Sequence, residues 1–330
     1  MANMTLGLIK ISTKAAFVAL VFCYSTLYTA LWVDLFNLIT PFIFQYLLCS
    51  TLLVLLFILL KQKYWMIASL ILTLLLCTEY ISANKLLASP PSYLGEGYTV
   101  DITSYNQLHL NQDGVDVLKS PQALKSDLLV IFEANKITGG AAKAKAIKAI
   151  FPYQYAALGL YSKSMLILSR WPLKDVERFA TVENDPAQNY ILRFQIQPEG
   201  ASRPVQIYAF HAKSPIPLRR IAERNHELGV LGALIKQDSA ETDLPRIALG
   251  DFNITPYNPH FKQLLQTSAL SMPRAGLRPI HSWPSFAPWI GRFQIDHILL
   301  SDEITNQSIK TTPAFGSDHL GIAAKLHIGN

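Results

Sequence analysis

Short apolar runs in this sequence repeatedly end in side chains that could do chemistry. The run RIALG, residues 246–250, leads directly into Asp251, and Asn253 follows two positions later. The same placement recurs at Asn106, Glu133 and His211, while Asp296 and His297 lie within the run at 294–300, and Asp318 and His319 precede the run at 321–328. Because an unpaired charge is expensive to bury, we expect a chain that places carboxylates, amides and imidazoles where strands leave a core to gather them around a metal ion or an anion.

Each of these residues also has a purely structural interpretation. An aspartate after a strand is commonly a turn or cap residue, because its carboxylate accepts local backbone hydrogen bonds. Glu133 could pair with Lys136 at the surface, and His211 could be a core imidazole bonded to a carbonyl. The functional interpretation therefore depends on the joint occurrence of all these positions in one chain.

Strands are needed to position these side chains, and several short runs have strand character. They are residues 99–105, 128–133, 165–169, 190–196, 205–210, 246–250, 294–300 and 321–328. Apolar residues recur along one helical face from Leu218 to Ile235, which predicts a helix from Leu218 to Lys236. Neighbouring strand runs do not alternate with helices regularly enough for a simple βαβ repeat, so we expect two sheets packed together under helices.

The first quarter of the chain has a different composition. Half of all residues are hydrophobic, and apolar stretches fill residues 15–33, 41–60 and 64–83. Each stretch is close to the roughly 20 residues that a helix needs to cross a membrane. We therefore predict a three-helix membrane anchor in residues 1–88, a linker in residues 89–98 and a soluble domain in residues 99–330. A cleaved signal peptide is the alternative for the first stretch, but no small-residue cleavage site follows it.

Lysines near the predicted spans indicate an orientation. Lys10 and Lys14 precede the first span, Lys61 and Lys63 lie between the second and third, and residues 34–40 contain no lysine or arginine. Because basic residues in short flanking loops stay in the cytoplasm, this pattern predicts an N-terminus inside and a soluble domain outside.

Net charge limits the classes of substrate, and the cysteine positions show whether disulfides are needed. The chain holds 29 basic and 23 acidic residues, a net charge of +6. Residues 1–89 hold five basic and two acidic residues, which leaves 24 basic against 21 acidic, a net charge of +3, for the rest of the chain. Such a mild excess tolerates a phosphate-bearing substrate without demanding one, and it argues against a dedicated DNA-coating surface. Lys85, just after the third span, opposes the predicted orientation. Because Cys23, Cys49 and Cys77 all fall within the predicted spans, the soluble part needs no disulfide.

Several short motifs together resemble the endonuclease/exonuclease/phosphatase superfamily, which has the deoxyribonuclease I-like fold. They are SYN at 104–106, VIFEAN at 130–135, FHAKSP at 210–215, LGDFN at 249–253, HSWP at 281–284, IDHILL at 295–300 and GSDH at 316–319. The resemblance covers about residues 99–328 and is specific in the combination of GDFN, IDHIL and SDH. It implies a four-layered α/β sandwich, with two mixed β-sheets flanked by helices, here preceded by three transmembrane helices.

The chain also resembles membrane-tethered bacterial proteins that carry this domain. That resemblance implies a multi-pass protein of the bacterial inner membrane, and the lysine pattern predicts that its catalytic domain is extracytoplasmic. Family members hydrolyse phosphoester bonds with a divalent cation, usually Mg²⁺, for which Mn²⁺ is the substitute. Glu133 resembles the family's metal ligand, with Asn106 beside it and Asp318 near the ion. A small oxygen-preferring cation that keeps several waters needs about one or two protein carboxylates, which agrees with this set.

The resemblance also implies roles around the phosphate. Asp251 and Asn253 would face the phosphate and the attacking water, His211 would donate to a phosphate oxygen, and Asp296 would orient His319. A histidine held by a carboxylate is suited to take a proton from water, and Asp251 is the competing base. The sequence leaves the choice between His319 and Asp251 open.

Other residues bear on the substrate. Ser162, Lys163 and Ser164 stand in a region where many relatives have a glycine. Trp283 could stack on a base or a lipid head group, and packing in the wall of the site is the alternative. Arg224, inside the long predicted helix, is interpreted as a structural or surface cation rather than a phosphate clamp.

Three functions follow as hypotheses. The first is a membrane-anchored, Mg²⁺-dependent phosphodiesterase with a nuclease-like site. The second keeps the chemistry but takes a phospholipid or inositol-phosphate head group, because the anchor would hold the site near the bilayer. The third is a non-catalytic, membrane-tethered scaffold of the same fold. Relatives of that last kind usually lack a metal ligand or the final histidine, and this chain has both. No protein partner is inferred.

Overall fold

The computed structural model describes residues 2–87, 96–159, 161–182, 189–274, 276 and 279–329. Residues 88–95, which include most of the predicted linker 89–98, lie outside the described residues. The chain divides into two compact units. The first comprises Met1–Asn84 with Thr255–Lys262, and the second comprises Lys85–Ile254 with Gln263–Asn330.

Long apolar helices dominate the first unit. They are α1 (Ala2–Thr29), α2 (Ile43–Leu59) and α3 (Lys63–Ala83), and short 3₁₀ turns at Asp34–Leu38 and Thr40–Phe42 connect α1 to α2. Three segments, Met4–Thr29, Asp34–Leu59 and Lys63–Ala83, are long and apolar enough to cross a membrane. The helix α1 begins before the predicted stretch 15–33 and ends before Val33, because hydropathy locates an apolar segment and not the helical backbone on its flanks.

The second unit contains two mixed β-sheets, as the sequence predicts. The strands of the six-stranded sheet, in spatial order, are β10 (Ile304–Thr311), β11 (Ile322–Gly329), β1 (Gly97–Asn106), β2 (Leu128–Phe132), β4 (Met165–Ser169) and β3 (Tyr153–Ala157). The strands of the five-stranded sheet are β5 (Lys174–Ala180), β6 (Tyr190–Ile196), β7 (Val205–Phe210), β8 (Arg246–Asp251) and β9 (Asp296–Leu300). The β1–β2 and β7–β8 pairs are parallel, and the other pairs are antiparallel.

Alternate side chains of β2 show how the layers are built. Leu128, Val130 and Phe132 join a core cluster shared with residues of β6, β7, β8 and β9, so they lie between the two sheets. Leu129 and Ile131 join a second cluster, which includes residues of the short helices α4 (Pro121–Lys125) and α5 (Lys136–Ala142). A strand buried on both faces reads as a continuous apolar run, which is why LLVIF contains no polar residue.

Helices cover the five-stranded sheet as well. The helix predicted at 218–236 is α7 (Arg220–Glu241), and the hydroxyl of Tyr208 on β7 donates to Asp238 on this helix at 2.5 Å. Gly232 of α7 lies against α8 (Pro259–Ser268), where Leu264 and Thr267 would meet an added Cβ. The remaining helix, α6, spans Lys145–Ile150.

The positions of the strand ends explain why the candidate site residues lie close together. Asn106 and Glu133 stand at the carboxyl ends of the parallel pair β1–β2, and His211 and Asp251 stand at those of β7–β8. Asp296 begins the antiparallel strand β9 and pairs directly with Asp251. All these side chains are therefore delivered to one end of the two sheets.

Gly250 allows the close approach of β8 and β7 immediately before Asp251. Its φ angle is +140°, and an added Cβ would collide with the carbonyl oxygen of Phe210. A residue with a side chain would push β8 away from β7 and displace Asp251. The glycine of the GDFN motif is thus required by the backbone, independently of the chemistry.

Candidate active site

Asp251 lies at the centre of the polar residues and is 2% exposed. Its Oδ2 accepts hydrogen bonds from Asn106 Nδ2 at 3.0 Å and from Asn253 Nδ2 at 3.2 Å, and its Oδ1 accepts from the Asn253 amide at 2.9 Å. Two imidazoles face the same Oδ2, His211 Nε2 at 3.5 Å and His319 Nε2 at 3.7 Å. Burial by itself raises the pKa of Asp251, but these imidazoles and the Asn253 amide outweigh it and hold the pKa below its usual value. Asp251 is therefore ionised at neutral pH.

His319 is held between two carboxylates. Its Nδ1 lies 2.8 Å from Asp296 Oδ2, while its Nε2 faces Asp251. Burial lowers the pKa of His319, yet the negative charges of Asp296 and Asp251 outweigh burial and raise it to about 10. The pKa of Asp296 is itself raised, mainly by burial. In this arrangement His319 carries both ring protons at neutral pH and places a positive charge beside Asp251.

His211 is a second buried cation of the site. Its Nδ1 lies 2.7 Å from the carbonyl oxygen of Ser162, so Nδ1 donates to that oxygen. Its Nε2 lies 3.7 Å from Glu133 Oε1 as well as near Asp251. Burial lowers the pKa of His211, but the two carboxylates and the Ser162 carbonyl raise it to about 9. The Nε2 proton is therefore available to an oxygen bound between these groups.

Glu133 follows β2 in a left-handed backbone conformation, with φ of +55°. Its Oε2 accepts from the amide of His109 at 3.0 Å, and its Oε1 accepts from Asn106 Nδ2 at 3.3 Å. Asn106 Oδ1 in turn accepts from the amide of Leu108 at 3.0 Å. The Glu133 side chain keeps 14% of its surface exposed.

Asn253 contributes its backbone shape as well as its amide. Its φ angle is +51°, and its Nδ2 donates to the Ala212 carbonyl at 2.9 Å in addition to Asp251. Asparagine tolerates the left-handed region better than most residues, because its short polar side chain bonds locally. In this structure the side-chain amide ties the ends of β7 and β8 together.

Asp318 and Trp283 form a pair beside this cluster. Asp318 Oδ2 accepts from the indole Nε1 of Trp283 at 3.0 Å. Among the described residues, Asp318 Oδ1 is a buried oxygen without a hydrogen-bond partner. The Trp283 ring also packs near Phe293, at 6.3 Å between ring centroids. The indole of Trp283 is thus anchored in the wall of the site, and its side chain is partly buried.

The donor set suits a hard divalent cation. Among the described residues, ligand atoms of Asp251, Asp296 and His319 lie within 4.8 Å of one another. Of these three, Asp296 Oδ2 and His319 Nδ1 contact each other at 2.8 Å. Glu133 and Asp318 also offer oxygens to a cation, because the Glu133 side chain is partly exposed and Asp318 Oδ1 has no hydrogen-bond partner within the part of the chain that the structure describes. Carboxylate and amide oxygens are the ligands that Mg²⁺ prefers.

Two buried residues of α7 position the loops of the site: Arg224, for which the sequence favours a structural or surface role, and Glu227, which sequence reasoning missed. Arg224 is 2% exposed, and its Nη1 donates to the carbonyl of Asn253 at 2.9 Å. Glu227 is fully buried; its Oε2 accepts from the Lys213 amide at 2.8 Å and its Oε1 accepts from Asn189 Nδ2 at 2.7 Å. These contacts hold the loops that follow β8 and β7. Their positions in the sequence could have indicated burial, since both residues lie on the buried face of α7 with Ile221 and Leu228.

The predicted site residues fall into two connected sets. Asn106, Glu133, His211, Asp251, Asn253, Asp296 and His319 form one network of contacts around Asp251. Asp318 and Trp283 pair with each other, and Asp318 adds a negative charge that raises the pKa of its neighbour His319. The predicted roles of all these residues stay predictions.

Comparison with known proteins identifies related sequences and folds. The profile of the endonuclease/exonuclease/phosphatase family matches residues 103–319, about two thirds of the chain. This range begins in β1 and ends at His319, so it includes the whole network around Asp251. No curated protein matches the sequence.

Solved structures share the fold at low sequence identity. Truncated TDP2 from Caenorhabditis elegans is 14% identical with a TM-score of 0.55, covering 70% of this chain and 98% of that one. Sphingomyelinase C from Streptomyces griseocarneus is 15% identical with a TM-score of 0.51, covering 71% and 100%. A mutant beta toxin from Staphylococcus aureus with bound magnesium ions is 17% identical with a TM-score of 0.53, covering 71% and 100%. At such identities the likeness concerns the fold.

Proposed function

Because the chain belongs to the endonuclease/exonuclease/phosphatase family, we propose that it is a membrane-anchored, divalent-metal-dependent phosphodiesterase with a nuclease-like site. The observation that carries this proposal is the position of Asp251, an ionised carboxylate at 3.5 Å from His211 and 3.7 Å from His319. One negative oxygen beside two imidazolium groups can orient a water molecule and stabilise the charge of a phosphoryl group undergoing attack.

The roles of the chain's own residues follow from their contacts. Asp251 accepts a hydrogen bond from the attacking water and takes its proton as the new P–O bond forms. The ester P–O bond breaks, and the alcohol oxygen leaves with the bonding electron pair and takes a proton from solvent. His211 donates its Nε2 proton to a phosphoryl oxygen, since its Nδ1 is fixed on Ser162. His319, held by Asp296, keeps a positive charge beside Asp251 and the phosphate. A divalent ion bound by Glu133, Asn106 and Asp318 would supply Lewis-acid charge at the phosphoryl group.

The first unit supports the proposed anchor and its orientation. Its three helices are long and apolar enough to span a membrane. With three crossings, the turns at residues 34–42 and the end of α3 at Asn84 lie on one side, opposite Lys61 and Lys63. Positive charges favour the cytoplasm, so the proposed catalytic domain, which follows α3, is extracytoplasmic.

A lipid head group is the second candidate substrate. The loop between Trp283 and Phe293 exposes Phe286 at 83% and Ile290 at 54% of their surfaces. Large apolar side chains presented to solvent beside a site are features of surfaces that meet membranes. Sphingomyelinase C has the same fold, and the proposed anchor would keep the site close to a bilayer.

One pair of assays separates these functions. Full-length protein in detergent is given Mg²⁺ and either plasmid DNA or vesicles of sphingomyelin and phosphatidylinositol, and cleavage of each is measured beside Asp251→Ala and the exposed control Asp175→Asn. The leading proposal predicts DNA cleavage that Asp251→Ala reduces by about 10² to 10⁴ fold, whereas the control remains active. Head-group release without DNA nicking would assign the lipid function. Activity of Asp251→Ala equal to wild type on both substrates would contradict the assigned chemistry, and calorimetry without Mg²⁺ or Mn²⁺ binding would favour a scaffold.

A further inference from the structure

The chain passes directly from the site into the helical unit. Asn253 and Ile254 are held on the catalytic side, because Arg224 donates to the Asn253 carbonyl at 2.9 Å and His297 Nε2 donates to the Ile254 carbonyl at 2.8 Å. The next residues, Thr255–Lys262, belong to the first unit together with α1, α2 and α3. This segment, Thr255–Lys262, is named the docking segment below. Its contacts lie with the proposed membrane anchor.

Asn258 of the docking segment makes two hydrogen bonds between buried side chains. Its Nδ2 donates to Asn37 Oδ1 at 2.8 Å and to Thr40 Oγ1 at 3.1 Å. Asn258, Asn37 and Thr40 are exposed by only 1%, 2% and 0% of their surfaces. Buried amides and hydroxyls cost free energy unless they are hydrogen-bonded, so these three residues specify each other's positions.

Tyr257 makes a second specific contact with the end of α3. Its hydroxyl accepts from Asn84 Nδ2 at 2.9 Å, and its ring stacks on Tyr80 with centroids 6.2 Å apart and planes 19° apart. Lys262 adds an ion pair with Glu79 at 2.9 Å, which contributes little because Lys262 is 41% exposed. Polar residues within an apolar helical unit are expensive there and commonly have a function.

The distance along the chain makes these contacts relevant to the site. Tyr257 follows Asn253 by only four residues, and each residue spans at most about 3.6 Å. Holding Tyr257 and Asn258 therefore restricts the short stretch of chain that leaves β8 after Asp251 and contains Asn253.

We propose that Asn37, Thr40 and Asn84 position the docking segment, and that this restraint acts along the chain from Tyr257 to Asn253, so that Asn253 and Asp251 keep their reactive geometry. This role rests on the proposed phosphodiesterase function for its catalytic readout. Small misplacements of catalytic groups can cost about 10² fold in rate, so loosening the docking segment lowers kcat without removing any group that touches the substrate.

Two substitutions test the contact from opposite sides. Asn84→Ala removes the amide within the anchor, and Tyr257→Phe removes only the hydroxyl that it meets, leaving the ring stacked on Tyr80. Thr51→Val is the matched control, since Thr51 is an exposed anchor residue whose hydroxyl bonds within its own helix, to Leu47. Full-length proteins are assayed in detergent on bis(p-nitrophenyl) phosphate, a soluble substrate for which membrane proximity has no effect.

The proposal predicts a kcat about tenfold or more below wild type in Asn84→Ala and Tyr257→Phe, an unchanged KM, and a double mutant no worse than the poorer single mutant. Hydrogen–deuterium exchange provides the second readout: amides of Phe252 and Asn253 should exchange faster in both variants and not in Thr51→Val. A wild-type protein without activity would contradict the proposed function, and the exchange measurement would still decide the positioning role. Wild-type exchange at these amides in both variants would overturn the role of the anchor, whatever the activity.

Discussion

His319 Nδ1 lies 2.8 Å from Asp296 Oδ2, and both side chains are buried. This contact fixes which nitrogen of the imidazole faces Asp251, and the carboxylate stabilises the protonated ring. A carboxylate, an imidazole and a second carboxylate thus lie in series from β9 to the end of β8. The outer carboxylate acts through His319 and touches no reacting atom, which makes Asp296 a positioning residue.

Replacing Asp296 with asparagine tests this relationship. Asp296→Asn keeps the shape of the side chain but removes the charge that holds His319 protonated, so we expect kcat on a soluble phosphodiester to fall by about 10² fold or more. The pH profile of kcat should also change, because the pKa of His319 falls when Asp296 loses its charge. Asp175→Asn, an exposed residue on β5, is the control and should behave as wild type. A wild-type kcat and pH profile in Asp296→Asn would contradict the assigned role.

Glu133 should control affinity for the divalent ion. Glu133→Gln retains an oxygen that can accept from the His109 amide but lacks the negative charge that a hard cation prefers. The Mg²⁺ concentration giving half-maximal activity should rise by about tenfold or more, and calorimetry should show the same loss of affinity. Glu199→Gln changes an exposed glutamate elsewhere and should leave both values unchanged. Equal Mg²⁺ dependence in the two variants would exclude Glu133 as a ligand.

Arg224 should support the site without touching the substrate. Arg224→Met removes the donor to the Asn253 carbonyl, leaving a buried oxygen without this partner, so we expect a lower melting temperature, by about 2–8 °C, and a reduced kcat. Arg224→Lys retains one donor and should recover part of both losses. Arg220→Met, on the exposed face of the same helix, is the control. An unchanged KM would separate positioning from phosphate binding, whereas a large rise in KM with normal stability would assign a phosphate clamp.

The strands that were not predicted from the sequence all lie at sheet edges. β3 and β10 flank the six-stranded sheet, and β5 is an edge of the five-stranded sheet. These three edge strands are partly exposed, unlike the buried edge strand β9, which was predicted. β5 accordingly reads KDVERFA, with charged residues that blur the apolar alternation. β2, β4 and β7, buried in the sheet interiors, have unbroken or nearly unbroken apolar runs and were predicted. Hydrophobic pattern therefore reports burial and loses strands that are not buried.

The candidate site was predictable for the residues that leave strands, and much less so for the residues that support them. Asp251, Glu133 and His211 each follow an apolar run, which the sequence displays directly. Arg224 instead meets Asn253 across the fold, 29 positions along the chain, and only its place on an apolar helix face points to burial. The contact between Asn258 and Asn37 spans 221 positions and has no local signal at all. Tertiary contacts of this kind require the structure.

A buried histidine should make stability depend on pH. His297 Nε2 donates to the Ile254 carbonyl at 2.8 Å, and its Nδ1 lies 3.4 Å from Gln294 Nε2, which fixes the neutral ring. Burial lowers the pKa of His297 to about 4, against about 6.5 in an unfolded chain. The folded state therefore binds fewer protons than the unfolded state in this range. Its contribution to stability is complete above pH 6.5 and is lost as the pH falls from 6.5 through about 4.

His297→Gln separates this titration from all others in the protein. Glutamine can donate to the Ile254 carbonyl but does not titrate. The melting temperature of His297→Gln should therefore fall less than that of wild type between pH 7 and pH 4.5. The difference corresponds to about 2–3 kcal/mol, from about 1.4 kcal/mol for each pKa unit. His226→Gln, at an exposed histidine of α7, should follow the wild-type curve and corrects for the other groups. Parallel curves of melting temperature against pH for wild type and His297→Gln would contradict this prediction. Protonation of His297 would then not destabilise the fold, and the hydrogen bond to the Ile254 carbonyl would not depend on a neutral imidazole.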